Sequence, residues 1–307
     1  MQETRARVLE TIAEGPVAGP AIADRLDISR AAVWKHVEAL REDGFTIEST
    51  DDGYTLAGVP EYGPAVAFDL DAPFDVEFHE TIDSTNRRAR DLAAEGQRDV
   101  VVLADEQTGG RGRLDREWVS PSGGIWLSIL LAPEIPAAHA PIYTLAAAVA
   151  TTRAVRDLGV EATIKWPNDV LVGDRKLAGI LTEMEGEADR ISWLAVGIGL
   201  NANVDPEALH ENATSLRAEV GDVDRRAVTQ TLIEEFHRLD GDHDAILPAW
   251  REYSATLGRR VRVDTPEGEL VGEAVDISVP GALEIETDDG RKTVTAGDCE
   301  HLRPADE

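Results

Sequence analysis

Cysteine, long apolar runs and basic side chains are all scarce in this 307-residue chain. Because Cys299 is its single cysteine, the chain can form no intramolecular disulfide, which favours a reducing compartment. The longest apolar run, from Ile125 to Ala132, is interrupted by Ser128 and is far too short to span a bilayer. Residues 1 to 20 lack the apolar centre of a signal peptide. These absences predict a cytoplasmic protein with no membrane segment.

The shortage of basic residues makes the chain strongly acidic, with 59 Asp and Glu against 30 Lys and Arg and a formal charge of -29 at pH 7. A charge imbalance of this size bears on solubility and medium rather than on fold. Because the acidic residues are spread along the whole chain, they predict an acidic surface of the kind found in proteins from high-salt cytoplasm. A disordered acidic tail is the weaker alternative.

The N-terminal region has the pattern of a winged helix-turn-helix. Residues 4 to 14 and Pro20 to Leu26 predict two helices, and Ser29 can cap a third helix whose apolar positions follow the 3.6-residue helical period. The run from Phe45 to Leu56 contains the turn signal Asp52-Gly53 and predicts a hairpin. Three short helices followed by a hairpin indicate a DNA-binding module.

The chain divides into this module, residues 1 to 60, a linker and two further domains. Residues 61 to 73 contain proline and glycine at a density that predicts a linker. Residues 74 to 256 predict a mixed α/β domain, and residues 257 to 307, with short β-like runs between glycine-containing turns, predict a small barrel. The strands predicted for the α/β domain span residues 100–104, 125–131, 162–166, 177–184 and 191–201, and its helices centre on residues 142–155 and 228–239.

The segment from Gln107 to Trp118, QTGGRGRLDREW, contains a GGRGR stretch between two predicted strands. Glycine lets backbone N–H groups approach an anion closely, and arginine adds bidentate contacts to phosphate or carboxylate. The stretch therefore favours an anion-binding loop, with a flexible or nucleic-acid-binding tract as the alternative. It lacks the spacing of a P-loop and does not lead into a helix, which argues against a P-loop or dinucleotide-binding fold.

A second polar motif, KWPND from Lys165 to Asp169, is followed by RKLAG from Arg175 to Gly179. Proline interrupts the first of these strands and leaves Asn168 and Asp169 at its end. The compact ammonium of Lys176, at the start of the next strand, can pair with a carboxylate or a phosphate. An ordinary surface lysine at a strand end is the alternative interpretation.

Five motifs occur here in the order and spacing of those in biotin-protein ligases. They are Asp83-Ser84-Thr85-Asn86, the GGRGR loop with Trp118, KWPND, RKLAG, and Gly197-Ile198-Gly199-Leu200-Asn201. Together with the helix-turn-helix, they make essentially the whole chain resemble the bifunctional type, a biotin ligase that is also a biotin operon repressor. The resemblance implies an α+β multidomain fold. Its parts are an N-terminal winged helix-turn-helix, a central mixed α/β domain of the class II aminoacyl-tRNA synthetase and biotinyl/lipoyl ligase type, and a C-terminal small SH3-like β-barrel.

The resemblance also implies roles for particular residues. In the family the Ser-Thr-Asn turn binds the ureido ring of biotin. The biotin-binding residues it implies are Ser84, Thr85, Asn86, Gln107, Arg111, Gly112, Arg113, Lys176, Gly179 and Gly197. Those implied to bind ATP or the adenylate are Trp118, Lys165, Asn168 and Asn201. Without the resemblance, Ser84 is also a suitable helix N-cap, and Trp118 and the two glycines are also plausible packing and turn residues.

The implied reaction begins with activation, because a carboxylate is a poor acylating agent. The family makes biotinyl-adenylate from biotin and ATP, with Mg²⁺ carried by the triphosphate and no dedicated protein metal site, and a lysine of a biotin carboxyl carrier protein then attacks the mixed anhydride. We expect Lys176, Arg111 and Arg113 to neutralise charge on the α-phosphate. Asp169 is the candidate for orienting the acceptor amine or a metal-bound water.

The loop departs from the best-known bacterial type at Leu114-Asp115, where that type usually has another glycine. We therefore expect a less flexible loop. The ligand-linked ordering that favours homodimers in that type is then an open question for this chain.

DNA binding is a separate prediction, because residues 1 to 56 carry six basic and eleven acidic side chains, a charge of 6 − 11 = −5. The third predicted helix is more basic, and its candidate DNA contacts are Ser29, Arg30, Lys35 and His36. Trp34 on the same helix is expected in the core rather than at a base. One such module binds weakly in salt, so repression is predicted to need a dimer on two half-sites of an operator. A helix-turn-helix used for protein contacts is the alternative.

Two other functions compete with this one. Lipoate-protein ligases share the central fold and adenylation chemistry, but they usually lack the helix-turn-helix and this form of the loop. A biotin-sensing transcription factor without catalysis is the rival from another class. The presence of Lys176, Arg111 and Arg113 argues against it.

Overall fold

The computed structural model describes residues 3–240, 242–266 and 268–302, except the side chains of Glu3, Asp115 and His243. The end of the predicted barrel, residues 303–307, lies outside this range. Within it, no helix is long and apolar enough to cross a membrane.

The N-terminal region forms the predicted helix-turn-helix with a β-hairpin as its wing. Val33, Val37 and Leu40 of the third helix are buried, and the Ser29 hydroxyl accepts a hydrogen bond from the Ala32 amide, which caps that helix. Gly53 is required in the hairpin because a Cβ there would lie 2.2 Å from the Val17 carbonyl oxygen. The elements are α1 (Glu3–Ala13), α2 (Gly19–Leu26), α3 (Arg30–Glu42), β1 (Thr46–Thr50) and β2 (Gly53–Gly58).

The central domain is built on a seven-stranded sheet with the order β3-β4-β5-β9-β8-β7-β6. Its strands are β3 (Asp75–Ile82), β4 (Val100–Gln107), β5 (Ile125–Leu131), β6 (Ala162–Lys165), β7 (Asp169–Val172), β8 (Arg175–Glu187) and β9 (Arg190–Leu200). Its helices are α4 (Thr85–Ala94), α5 (Pro141–Arg156), α6 (Leu216–Val220), α7 (Arg225–Leu239) and α8 (His243–Tyr253). Only the β3–β4 pair is parallel, and the other neighbouring strands of the sheet are antiparallel.

The two faces of the sheet carry different layers. On β4, Val100 and Val102 pack in a small cluster with Leu92 of α4, whereas Val101 and Leu103 join the main core shared with α5 and α7. This alternation is the period-two pattern of a strand that is covered on both faces. Because α4 covers only part of its face, the rest is open to a ligand cavity.

The predicted linker, residues 61–73, is packed against the central domain. It contains a short 3₁₀ turn, and Tyr62, Ala65 and Val66 are buried. The Gln230 side chain of α7 donates hydrogen bonds to the carbonyl oxygens of Val66 and Phe68 at 3.1 and 2.6 Å. The segment therefore attaches the helix-turn-helix to α7.

The C-terminal region forms a five-stranded antiparallel sheet with the order β13-β12-β11-β10-β14. Its buried side chains include Val261, Ile277 and Leu283, which belong to the same core cluster as the central domain. The strands are β10 (Arg260–Thr265), β11 (Gly268–Ser278), β12 (Ala282–Thr287), β13 (Gly290–Val294) and β14 (Asp298–His301). A β-rich C-terminal domain is thus confirmed.

Trp166, in the middle of the KWPND motif, joins the central and C-terminal domains. Its side chain is 1% exposed, and its indole N–H donates to the buried carbonyl of Gly281 at 3.0 Å. Its backbone N–H donates to the Thr256 hydroxyl, which is also 3.0 Å from His301 Nε2. Part of the motif is therefore an interdomain contact rather than a ligand site.

Replacing Trp166 by Phe removes this indole donor while keeping most of the apolar volume. We expect the free energy of unfolding in urea to fall by about 1–3 kcal/mol, because the Gly281 carbonyl is left buried without its partner. Trp193→Phe is the matched control, since its indole donates to an exposed carboxylate, that of Glu185. Equal losses of stability in the two variants would contradict the assignment of Trp166 as a stabilising interdomain contact.

Candidate active site

A cavity of about 720 Å³ opens on the α4 face of the sheet. It is lined by every residue predicted to bind biotin, namely Ser84, Thr85, Asn86, Gln107, Arg111, Gly112, Arg113, Lys176, Gly179 and Gly197. Trp118, Asn168 and Asp169 line it as well. Residues from all five motifs thus meet in one place, which we call the first cavity.

A second cavity of about 520 Å³ adjoins the first and lies against the C-terminal domain. Lys165 and Asn201 line this second cavity and not the first, together with Arg259 and His301. Burial, reinforced by the charges of Lys165 and Arg259, lowers the pKa of His301 to about 4, so that its imidazole is neutral near pH 7. The residues shared by both cavities are Glu117, Trp118, Asp169, Lys176 and His210.

Ser84 both caps a helix and lines the first cavity. Its hydroxyl accepts from the Arg87 amide and caps α4, which confirms the N-cap interpretation, and the same residue lines the first cavity. The following Thr85 is held by Gln107, whose Oε1 accepts from the Thr85 amide at 2.9 Å and lies 3.1 Å from the Thr85 hydroxyl. Gln107 Nε2 donates to the Ser120 hydroxyl at 3.1 Å, which fixes the orientation of its amide.

Ser128 and Glu183, neither of which was predicted from the sequence, extend this network. The Ser128 hydroxyl, fully buried on β5, lies 2.7 Å from Thr85 Oγ1 and 2.6 Å from Asn86 Oδ1. Asn86 Nδ2 donates to the Glu183 carboxylate at 2.7 Å and to the Leu181 carbonyl at 3.2 Å. Ser128 has one proton to donate, so its hydroxyl can serve one of its two neighbours at a time. A serine inside the apolar run IWLSILL was the available signal.

The glycines of β8 and β9 make room for protein side chains at the cavity wall. A Cβ on Gly197 would lie 2.4 Å from Asn86 Oδ1, and one on Gly199 would lie 2.6 Å from Trp118 Nε1. At Gly179 the neighbours are the Lys176 side chain, at 3.1 Å, and the Trp118 ring, at 3.2 Å. The direct occupants of this space are therefore Asn86, Trp118 and Lys176, the side chains that line the cavity.

Lys176 lies at the junction of the two cavities. Its Nζ forms an ion pair with Asp169 Oδ1 at 2.6 Å and stands 5.0 Å from the centre of the Trp118 ring. Its backbone is fixed too, because its amide donates to the Asn212 carbonyl and its carbonyl accepts from the Thr214 amide. The ammonium is therefore held beside an anion and an aromatic face, within reach of both cavities.

Arg113 brings a second cation to the first cavity. Its guanidinium donates to Asn168 Oδ1 at 3.2 Å and to the Gly297 carbonyl at 2.9 Å. Burial lowers the pKa of Arg113 below its usual value, and the opposing effect of the Asp298 and Asp169 charges is smaller. Because its hydrogen-bond partners are neutral, this partly desolvated cation is well suited to receive an anion.

The rest of the GGRGR loop ends in a tight turn that is tied to the C-terminal domain. Arg116 forms an ion pair with Asp298 at 2.5 Å, and the Arg116 carbonyl accepts from the Gly112 amide. Leu114 has φ 56° and ψ 35°, a left-handed conformation that favours glycine, and its side chain is 72% exposed. This is the segment, Leu114-Asp115, where the best-known bacterial type usually has another glycine. The chain therefore keeps here a backbone conformation that glycine adopts more easily. Arg111 is exposed at the cavity mouth.

Three family models match separate parts of the chain. The Biotin/lipoate A/B protein ligase family matches residues 78–201, the Biotin protein ligase C terminal domain matches residues 256–302, and an HTH domain matches residues 5–55. The bifunctional ligase/repressor BirA of Bacillus subtilis (strain 168) is 36% identical, over 92% of this chain and 93% of its own. The biotin--[acetyl-CoA-carboxylase] ligase of Paracoccus denitrificans is 35% identical, over 70% of this chain and 96% of its own.

A solved structure, that of the biotin protein ligase from Aquifex aeolicus in complex with biotin and ATP, superposes with a TM-score of 0.64. It is 28% identical in sequence and covers 74% of this chain and 99% of its own.

Gly197→Ala tests the close approach of β9 to Asn86. The added methyl overlaps Asn86 Oδ1, so Asn86 must move, and overpacking of this kind commonly costs about 1–3 kcal/mol. We expect the KM for biotin in ATP–pyrophosphate exchange to rise about tenfold or more. Gly19→Ala is the control, because its Cβ would meet only Tyr54 Cε2, at 3.5 Å. An unchanged KM in Gly197→Ala would show that Asn86 is not positioned by this contact.

Proposed function

The chain belongs to the biotin protein ligase family and is an ATP-dependent, AMP-forming ligase of the ligase/repressor type, and from this premise we propose how its two cavities divide the reaction. The first cavity binds biotin, the second binds the nucleotide, and biotinyl-adenylate forms where they meet. The observation that carries this assignment is the position of Lys176, whose ammonium lines both cavities.

The biotin end of the first cavity offers the hydrogen bonds that a ureido ring needs. That ring has two N–H donors and one carbonyl acceptor. Ser84 and Thr85 supply hydroxyls that can turn to donate, and Asn86 Oδ1 can accept, with Ser128 behind them to hold the set in place. The side chain of Leu127 adds an apolar surface for the sulphur ring.

The second cavity fits an adenine ring. Asn201 Oδ1 and Trp118 Nε1 are buried and have no hydrogen-bond partner among the described residues. Adenine supplies what each of them lacks, since its exocyclic amine is a donor and its ring nitrogens are acceptors. A buried polar atom without a partner carries a free-energy cost that such a ligand would relieve. Asn201 and Trp118 would therefore hold the base, and Lys165 would face the phosphates.

In the first half-reaction a carboxylate oxygen of biotin attacks the α-phosphorus of ATP, and pyrophosphate leaves. Lys176 and Arg113, with Arg111 from the loop, neutralise the charge that builds on the α-phosphate. In the second half-reaction an acceptor amine attacks the acyl carbon, loses a proton, and AMP leaves. Asp169 keeps Lys176 in position and is our candidate for orienting the incoming amine or a water on the metal. Mg²⁺ would arrive on the triphosphate of ATP and help to neutralise it.

We propose finer features on the same basis. The acceptor is the biotin-bearing lysine of a biotin carboxyl carrier protein, and the protein works in the cytoplasm. The five antiparallel C-terminal strands form a small SH3-like barrel. The helix-turn-helix binds operator DNA as a homodimer when biotinyl-AMP is bound.

Lys176→Ala is the direct test of the catalytic assignment. We expect biotin-dependent ATP–pyrophosphate exchange, measured in high salt, to fall by about 10²–10³-fold or more, as for the loss of other transition-state charge contacts. Lys292→Ala, at an exposed position of β13, removes the same charge elsewhere and should leave the rate unchanged. Near-normal exchange by Lys176→Ala would remove this assignment. Exchange that depended on lipoate rather than biotin would favour the lipoate ligase alternative.

Gel shift combined with sedimentation tests the repressor assignment. The DNA is a duplex that the full-length protein enriches from a random library in the presence of biotin, ATP and Mg²⁺. We expect biotin with ATP to tighten binding at least about tenfold, since only two modules together offer enough phosphate contacts in salt. The bound species should sediment as a dimer. A monomer that binds equally well without biotin would contradict this assignment.

A further inference from the structure

Trp34 lies on the surface of the helix-turn-helix, although the sequence analysis expected it in the core. Its side chain is 59% exposed, and it is the one large apolar side chain so exposed within residues 3–58. The inward face of α3 is already filled by Val33, Val37 and Leu40, and a residue next to Val33 is turned about 100° away from it. The indole therefore projects from the flank of the predicted recognition helix.

The charges around Trp34 are positive. Arg30, one turn earlier on the same helix, and the adjacent Lys35 are both exposed, and neither forms an ion pair with any described carboxylate. Glu38, one turn later, is neutralised by Arg41 at 2.6 Å. Burial, with the charges of Arg5 and Lys35, lowers the pKa of His36, so His36 adds no charge near pH 7.

This patch, Trp34 with Arg30 and Lys35, is matched by DNA rather than by a second copy of the chain. A symmetric copy would place the same unpaired cations opposite each other, which is unfavourable. A polyanion gains from both cations, and they are free of ion pairs in a molecule whose net charge is -29. The helix that bears them, α3, is the second helix of the helix-turn-helix, which is the helix that enters the major groove in this motif.

We propose that Trp34 reads bases, by packing its indole against the C5-methyl groups of thymines in the major groove, while Arg30 and Lys35 hold the flanking phosphates. The thymine methyl is the apolar feature that the major groove offers to such a ring. This proposal rests on the repressor function proposed above and names a residue that gives it sequence specificity.

The acidic composition predicts a high-salt medium, in which this mode of recognition has an advantage. Phosphate contacts weaken steeply as salt rises, because they depend on the release of counterions. Burial of an apolar ring against a methyl group is not screened in this way, and salting-out ions strengthen it. In a high-salt medium, a base-reading tryptophan retains specificity when the contribution of Arg30 and Lys35 is small.

The test uses the enriched duplex with its thymines replaced, one at a time, by deoxyuridine, which removes only the methyl group. For the full-length wild type with biotin, ATP and Mg²⁺, we expect one or more replacements to weaken binding by about three- to fivefold, the value of roughly one buried methyl. Trp34→Ala should bind the unmodified duplex more weakly and should no longer respond to those replacements. Pyrophosphate exchange by the variant should equal that of the wild type, which reports an intact catalytic domain.

Lys35→Gln is the matched control on the same helix. It should remain sensitive to deoxyuridine and should reduce the salt dependence of binding by about one phosphate contact, whereas Trp34→Ala should leave that dependence unchanged. Trp34→Ala that kept the wild-type response to deoxyuridine, or that weakened enriched and random duplexes equally, would overturn the proposal. If the wild type enriched no sequence at all, the repressor function itself would fail, and this outcome is distinct from the preceding two.

Discussion

The ion pair between Lys176 and Asp169, covered by the Trp118 ring, is the contact around which the site is arranged. An ammonium on a flexible four-carbon stem is a poor catalyst unless something fixes it, because it can adopt many rotamers. Here one carboxylate and one aromatic face hold it where the two cavities meet. The glycines of β8 and β9 are part of the same constraint, since larger residues at Gly179 and Gly199 would press on Lys176 and Trp118.

The domains around this contact support it from different directions. Trp166 secures the KWPND turn, which carries Asn168 and Asp169, to the C-terminal domain through Gly281. The C-terminal domain in turn contacts the GGRGR loop, because the Gly297 carbonyl accepts a hydrogen bond from Arg113. Lys176 and Arg113 are therefore positioned by three parts of the chain that are distant in sequence. The apolar side chains of the C-terminal sheet also share one core with the central domain.

Much of the fold and most of the site could be predicted from the sequence, because the relevant residues occur in short local motifs. The QTGGRGR and RKLAG segments brought Gln107, Arg113 and Lys176 to one cavity. Ser128 and Glu183 were missed because each acts through a partner far along the chain, and only strand pairing shows that β5 and β8 pass beside α4. β3 and β7 were missed as well, since short or polar strands lack a clear period-two signal.

The prediction that Trp34 lies in the core was wrong. It relied on the average tendency of tryptophan to be buried, whereas this side chain lies on the surface. Helical periodicity predicted the helix, but it could not show that the inward face was already full. The same holds for the predicted linker, whose prolines and glycines suggested an open chain although Tyr62 and Val66 are buried.

We propose that Asp169 acts on the chemistry by holding Lys176. A double-mutant cycle with Asp169→Asn and Lys176→Ala, read as the single-turnover rate of biotinyl-adenylate formation, measures their coupling directly. We expect Asp169→Asn to slow the wild-type enzyme but to have almost no further effect once Lys176 is alanine. Losses that multiply independently in the double variant would contradict it.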